Sequence, residues 1–146
     1  MKLLFAIDLS GAYEPVLDQA IGWAERLDAT LDLAFVGLYD DLYEFVSDPR
    51  VRELLAVESA RIREEHRQQL EDLLLRIPQA HRGRAFQPAG PPATAITSLE
   101  NDYDALVLGT HGRSGLSHLW LGSVCERVVR TSHKPIIALR IPHDAA

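Results

Sequence analysis

"DALVLGTHGRSGLSHLWLGSVCE", Asp104–Glu126, is the stretch on which the fold turns. It runs from a four-residue apolar segment, Ala105-Leu106-Val107-Leu108, into four glycines within the fifteen residues from Gly109 to Ser123. The period then changes. From Ser123 to Thr131 the apolar positions Val124, Cys125, Val128 and Val129 recur at helical spacing, and Ser123-Val124-Cys125-Glu126 reads as a capping box. A short apolar run bounded by glycine is a strand covered on both faces, so the segment predicts strand, glycine-rich loop and helix in succession.

The same alternation extends outward in both directions. Lys2 to Ile7 is an apolar run stopped by Asp8. Pro15 to Leu27 carries apolar residues every three or four positions, with its proline in the first helical turn. Leu31 to Leu38 predicts a second strand, and a polar loop, Tyr39 to Arg50, follows. From Val51 to Ile77 a long helix is expected, with Val51, Leu54, Leu55, Ile62, Leu70, Leu73, Leu74 and Ile77 on one face and Pro78 as its stop. Its charge run, with Glu58, Arg61 and Glu65 three and four apart, reads as a solvated face. Arg84 to Gln87 predicts a third strand, Ala93 to Asn101 a short helix, and Pro135–Ile141 a fifth strand.

The order βαβαβαβαβ requires crossover connections, and these generate a parallel sheet with helices on both faces. The expected fold class is therefore α/β, a single-domain open five-stranded parallel sheet of Rossmann-like or flavodoxin-like type, with residues 1–146 forming one unit. In such sheets ligands bind beyond the carboxyl ends of the strands, where the winding direction reverses. That places Asp8, the Val36-Gly37 stretch and the Gly109 loop on one edge.

Composition narrows the function classes. Against 15 Lys and Arg stand 21 Asp and Glu, a net charge of -6 that disfavours a nucleic-acid backbone as partner. Met1-Lys2 is followed by only five apolar residues before Asp8 and no eighteen run together, so a cytoplasmic protein without membrane insertion is expected. The single Cys125 reads as a small buried hydrophobe. His111 and His118, seven apart, fit no standard metal spacing, so no protein metal cluster is expected. Trp120 reads as packing among leucines and Trp23 as helix packing or partial surface.

A glycine loop between a strand and a helix start is suited to anions, because backbone N–H groups converge there and the helix adds partial positive charge. Glycine permits positive φ and close approach of a ligand. Gly109 and Gly112 bracket the first turn, Arg113 offers a fork of donors, and Gly122-Ser123 opens the helix. The loop is neither GxGxxG nor a P-loop, and neither lysine of the chain, Lys2 or Lys134, lies in it. Any βα connection can use glycine for turning, so glycine content alone does not separate a ligand site from a structural loop.

The spacing is more specific: Gly109, two residues, Gly112, nine residues, then Gly122-Ser123. In this pattern, and along essentially its whole length, the chain resembles the ATP-binding subgroup of the universal stress protein family. Supporting matches are Ile7-Asp8-Leu9-Ser10, Gly90-Pro91, Asp104 to Gly109 and Lys134-Pro135-Ile136-Ile137. The resemblance implies an adenine nucleotide, ATP or else ADP or AMP, with Mg or Mn accompanying it near Asp8. It implies that the backbone at Val36 reads the adenine edge, and that Leu108, Gly109, Gly112, Gly122, Ser123 and Val124 hold ribose and phosphates, with Arg113 beside them. It also implies a homodimer through Pro135–Ile141, higher oligomers remaining open, and a regulatory protein partner. Phe35 and Ala6 depart from the family pattern, where histidine and proline are common.

Three function classes follow. The first is a nucleotide-responsive regulatory or stress module in which catalysis is incidental. The second is a slow ATPase or adenylyl-transfer enzyme, for which no histidine, serine or cysteine shows an evident catalytic partner. The third is a nucleotide-free dimeric scaffold with structural glycines.

Overall fold

The computed structural model describes residues 1–9, 13–37, 43, 45–110 and 123–140. Five parallel strands, β1 (Lys2–Ala6), β2 (Thr30–Ala34), β3 (Arg82–Phe86), β4 (Ala105–Thr110) and β5 (Ile136–Arg140), lie in the order β3-β2-β1-β4-β5. Between them run α1 (Tyr13–Arg26), α2 (Pro49–Arg76), α3 (Pro92–Ser98) and α4 (Ser123–Thr131). The α/β class and the parallel sheet expected from the alternation of periods are both present.

Successive strand residues point to opposite faces, and that alternation divides the core in two. Leu3, Phe5, Leu31, Leu33 and Val107 pack with Val16, Leu17, Ala20 and Ala24 of α1 and Leu70 and Leu73 of α2. Leu4, Ala34, Leu106 and Leu108 pack on the other face with Ala93 and Ile96 of α3 and Cys125 and Val128 of α4. Both faces of the central strands are covered, which is why their sequences read as continuous apolar runs.

Several element boundaries differ from the sequence expectation, each for a local reason. The β2 strand stops at Ala34, because Phe35 already turns its N–H to the Phe86 carbonyl just past the ladder. The α2 helix starts at Pro49, where Asp48 caps it by accepting from the Arg50 N–H at 2.9 Å. Its apolar face is not uniformly covered: Leu70, Leu73 and Ile77 are buried, whereas Val51 and Leu54 are exposed. On α4, Cys125 and Val128 are buried but Val124 and Val129 are largely exposed. Ser123 is the first residue of that helix, and the Glu126 carboxylate holds Arg130 one turn on.

The β3 strand begins earlier than expected, at Arg82, and pairs irregularly. Leu31 is opposite Arg82 but Leu33 is opposite Ala85, so β3 contributes one extra residue beside Asp32. Asp32, 2% exposed, absorbs the irregularity: one carboxylate oxygen accepts the Arg84 N–H at 2.8 Å and the other the Tyr103 hydroxyl at 2.7 Å. Gly83 leaves room for it. A Cβ there would sit 1.8 Å from Asp32 Oδ1 and 2.8 Å from the Leu31 carbonyl oxygen.

Candidate functional site

From β1 the chain winds through β2 to β3 at one edge, then returns to β4 on the other side of β1 and continues to β5. The winding therefore reverses between β1 and β4, and the crevice beyond their carboxyl ends is the expected ligand position. Register locates the residues there. Ala6 is opposite both Ala34 and Leu108, so the segments leaving β1, β2 and β4 at Asp8, Val36 and Thr110 emerge side by side.

Asp8 lies two residues past β1 and is exposed. Val36 is half-buried and rests against the α3/α4 face of the core. Leu108 is buried within β4, in register with Ala6 and Ala138. Ser123 and Val124 are exposed in the first turn of α4, whose leading N–H groups have no partners within the helix. The structure thus brings Asp8, Val36, Leu108 and Gly109 to one edge and sets the start of α4 above β4 through Cys125 and Leu108. Gly112, Arg113 and Gly122, with His111, His118 and Trp120, lie outside the described residues.

Gly109 departs from the turn expected of it. It is part of β4, paired with Leu139, and its φ is not positive; Gly90, at φ 107°, is the described glycine with that conformation. A Cβ at Gly109 would lie 3.3 Å from Val16 Cγ1, so the missing side chain lets α1 approach the end of β4. Thr110 prolongs the strand and donates its hydroxyl to the Leu139 carbonyl at 3.2 Å.

Neighbouring elements brace this edge. The Gln87 side-chain amide donates to the Arg63 carbonyl of α2, and Gln19 of α1 donates to the Arg140 carbonyl at the end of β5. Phe35 meets the His66 ring edge-on at a centroid distance of 4.8 Å. His66 was not among the candidates from sequence. The signal was its spacing, four residues from both Ile62 and Leu70 on the inner side of α2.

Both lysines are far from this crevice: Lys2 opens β1, and Lys134 precedes β5, at the amino edge of the sheet. Among the described residues no three His, Cys, Asp or Glu side chains converge as a metal site. Cys125 is buried, and burial pushes its thiol above the usual range, consistent with a packing role.

The family model for the universal stress protein family matches residues 1–140, and the chain belongs to that family. It is 26% identical over 113 residues to universal stress protein MJ0577 of Methanocaldococcus jannaschii, covering 76% of this chain and 65% of that one. A shorter segment is 40% identical over 55 residues to universal stress protein Rv1996 of Mycobacterium tuberculosis, 38% of this chain but 17% of that protein. The chain thus spans less than two-thirds of the length of these curated relatives. The solved structure of MJ0577 superposes with a TM-score of 0.77 at 23% identity, covering 97% of this chain and 96% of that one. A universal stress protein in complex with cAMP superposes with a TM-score of 0.54 at 20% identity, covering 97% and 98%. At these identities the structural likeness is one of fold.

Proposed function

We propose that residues 1–146 form one universal stress module that binds an adenine nucleotide in the crevice beyond β1 and β4 and uses its occupancy to regulate a protein partner. The observation that carries the reading is the side-by-side emergence of Asp8, Val36 and the end of β4 at the reversal of the sheet. In this reading the Val36 backbone meets the adenine edge. Leu108, Gly109, Ser123 and Val124, with Gly112, Arg113 and Gly122 of the spacing pattern, hold ribose and phosphates. The cAMP complex of a structural neighbour supports a nucleotide as the ligand class.

With both lysines at the opposite edge, phosphate charge is met by backbone amides, the α4 N-terminus and Arg113. A divalent ion fits the donor set as a passenger of the nucleotide. Mg keeps most of its shell as water and phosphate oxygen and needs only one or two carboxylates, here Asp8. When bound it supplies neutralisation of phosphate charge. Hydrolysis is incidental, since rapid phosphoryl transfer calls for several positioned cations and a base that orients the nucleophile.

β5 lies at the end of the strand order, and an apolar edge strand of this kind invites pairing. Two copies joined through β5 would cover both edges, giving a homodimer with a cytoplasmic regulatory role.

Thermal unfolding with ATP, ADP, AMP and cAMP, each with Mg or Mn, tests the ligand. At a hundred times the dissociation constant the stabilisation is about 2.7 kcal/mol, well within detection. Gly122→Val should abolish that stabilisation while the protein still folds. No shift with any of the four nucleotides would remove the reading.

A further inference from the structure

The α2 helix is longer than the sheet it packs on. Arg63 is level with the end of β3 through the Gln87 contact, and Leu75 and Ile77 are level with its start through Arg82. Residues 49–62 therefore run on past the carboxyl edge as an arm, about 20 Å at ~1.5 Å per residue. Along this arm Val51, Leu54 and Val57 are 43%, 71% and 66% exposed. At about 100° per residue they form one stripe, about 120° wide and centred on Leu54.

The stripe is symmetric about its centre in chemistry as well as in shape. Val51 and Val57 lie three residues to either side of Leu54, and Arg50 and Glu58 lie four residues to either side, on the same face. We propose that a second copy of this chain docks antiparallel on the α2 arm, with a twofold axis at Leu54. That axis sets Leu54 against Leu54, each Val51 against the partner's Val57 and each Arg50 against the partner's Glu58. A parallel arrangement would put Arg50 against Arg50 and Glu58 against Glu58, so charge selects the antiparallel one. Glu58 already holds Arg61 on its own helix, and Arg61 also holds Glu65, so the face beyond Glu58 is charged and the contact stays confined to the arm. Two such stripes would pack at the 8–10 Å spacing typical of helix pairs.

Sedimentation equilibrium of the full chain at tens of micromolar tests the contact. Leu54→Asp should lower the mass of the assembly at unchanged helicity, since this side chain takes no part in the core, and should remove the concentration dependence of Tm that the arm contact contributes. Where β5 also pairs, the variant should fall back to the β5 dimer, and where it does not, to the single chain. Arg50→Glu and Glu58→Arg should each weaken the assembly about tenfold, and the double swap should restore it. An unchanged mass in Leu54→Asp, or a double swap no better than the two singles combined, overturns the proposal. So does a stripe that is protected only when another protein's amphipathic helix is added.

Discussion

Thr110 aside, the two ends of the sheet differ in how they treat their polar groups. Toward the amino end they are buried and consumed by the fold. Asp32 takes the Arg84 N–H and the Tyr103 hydroxyl, and Glu100, 7% exposed, takes the Ser132 hydroxyl and both the N–H and Nδ1 of His133. Toward the carboxyl end Asp8, Ser123 and Val124 are exposed at the reversal of the sheet. Among the described residues no buried side-chain polar atom lacks a partner. A buried polar group must be satisfied or it costs stability, so the amino end is closed chemistry. At the carboxyl end Thr110 is likewise buried and bonded to the Leu139 carbonyl, but Asp8 and Ser123 stay at the surface.

Gly83→Val should show the largest effect, because its Cβ would collide with the Asp32 carboxylate and the Leu31 carbonyl inside the core. We expect a loss of about 3 kcal/mol or more in urea unfolding, with nucleotide affinity unchanged for the fraction that folds. A loss under about 1 kcal/mol would mean that the Asp32 pocket can open, and would weaken the contrast between the two ends.

Next comes the carboxylate itself. Asp32→Ala should cost about 2–3 kcal/mol, since it orphans the Tyr103 hydroxyl and the Arg84 N–H, while Tyr103→Phe should cost about 1–2 kcal/mol. The double variant should fall short of the sum of the singles, as expected for partners in contact. The same pair has an electrostatic signature: burial, and then the hydrogen bond to Asp32, hold the Tyr103 hydroxyl well above its usual range. Its absorbance should accordingly not titrate below the pH at which the protein unfolds.

A smaller effect is read as a slope. The Ser132 hydrogen bond, seconded by those from His133, holds the Glu100 carboxyl below its ordinary value of 4.5 against the opposing pull of burial. A carboxyl lowered on folding contributes stability above its unfolded value, and that contribution disappears as pH falls through the folded one. Stability should therefore drop on acidification below about pH 4.5, and Glu100→Gln should flatten that part of the curve. A curve unchanged by the substitution would show the Glu100 cluster to be energetically idle.

The smallest stability effect belongs to the opposite end. Asp8→Ala should change unfolding free energy by no more than about 0.5 kcal/mol, as exposed substitutions usually do, yet should reduce nucleotide-dependent stabilisation. If instead Asp8→Ala destabilised the protein as much as Asp32→Ala, the two ends would not differ in the way described.

How far these features were legible in the sequence depended on the range of the forces behind them. Alternation of period 2 and period 3.6 segments is local, and it located all five strands and the four helices to within a few residues. The placement of Asp8 and Val36 at one edge also followed, since a parallel βα order leaves little freedom. Gly83 was not legible. It lies just before the strand expected at Arg84, and the reason for it is an aspartate 51 residues earlier. Val51 and Leu54 matched the period of a buried face but lie on an arm past the sheet, because α2 outruns the strands it covers.

By itself, the sequence determined the element order and the parallel sheet, because hydrophobic period and crossover geometry act along the chain, while the spacing of Gly109, Gly112 and Gly122-Ser123 carried the resemblance to the family. Only the tertiary structure decided which glycine makes room for α1 and which for Asp32, and which stretch of the α2 face stays uncovered. Those outcomes depend on atoms brought together across the sheet, where a clash of under 3 Å or a missing neighbour has no trace in local composition.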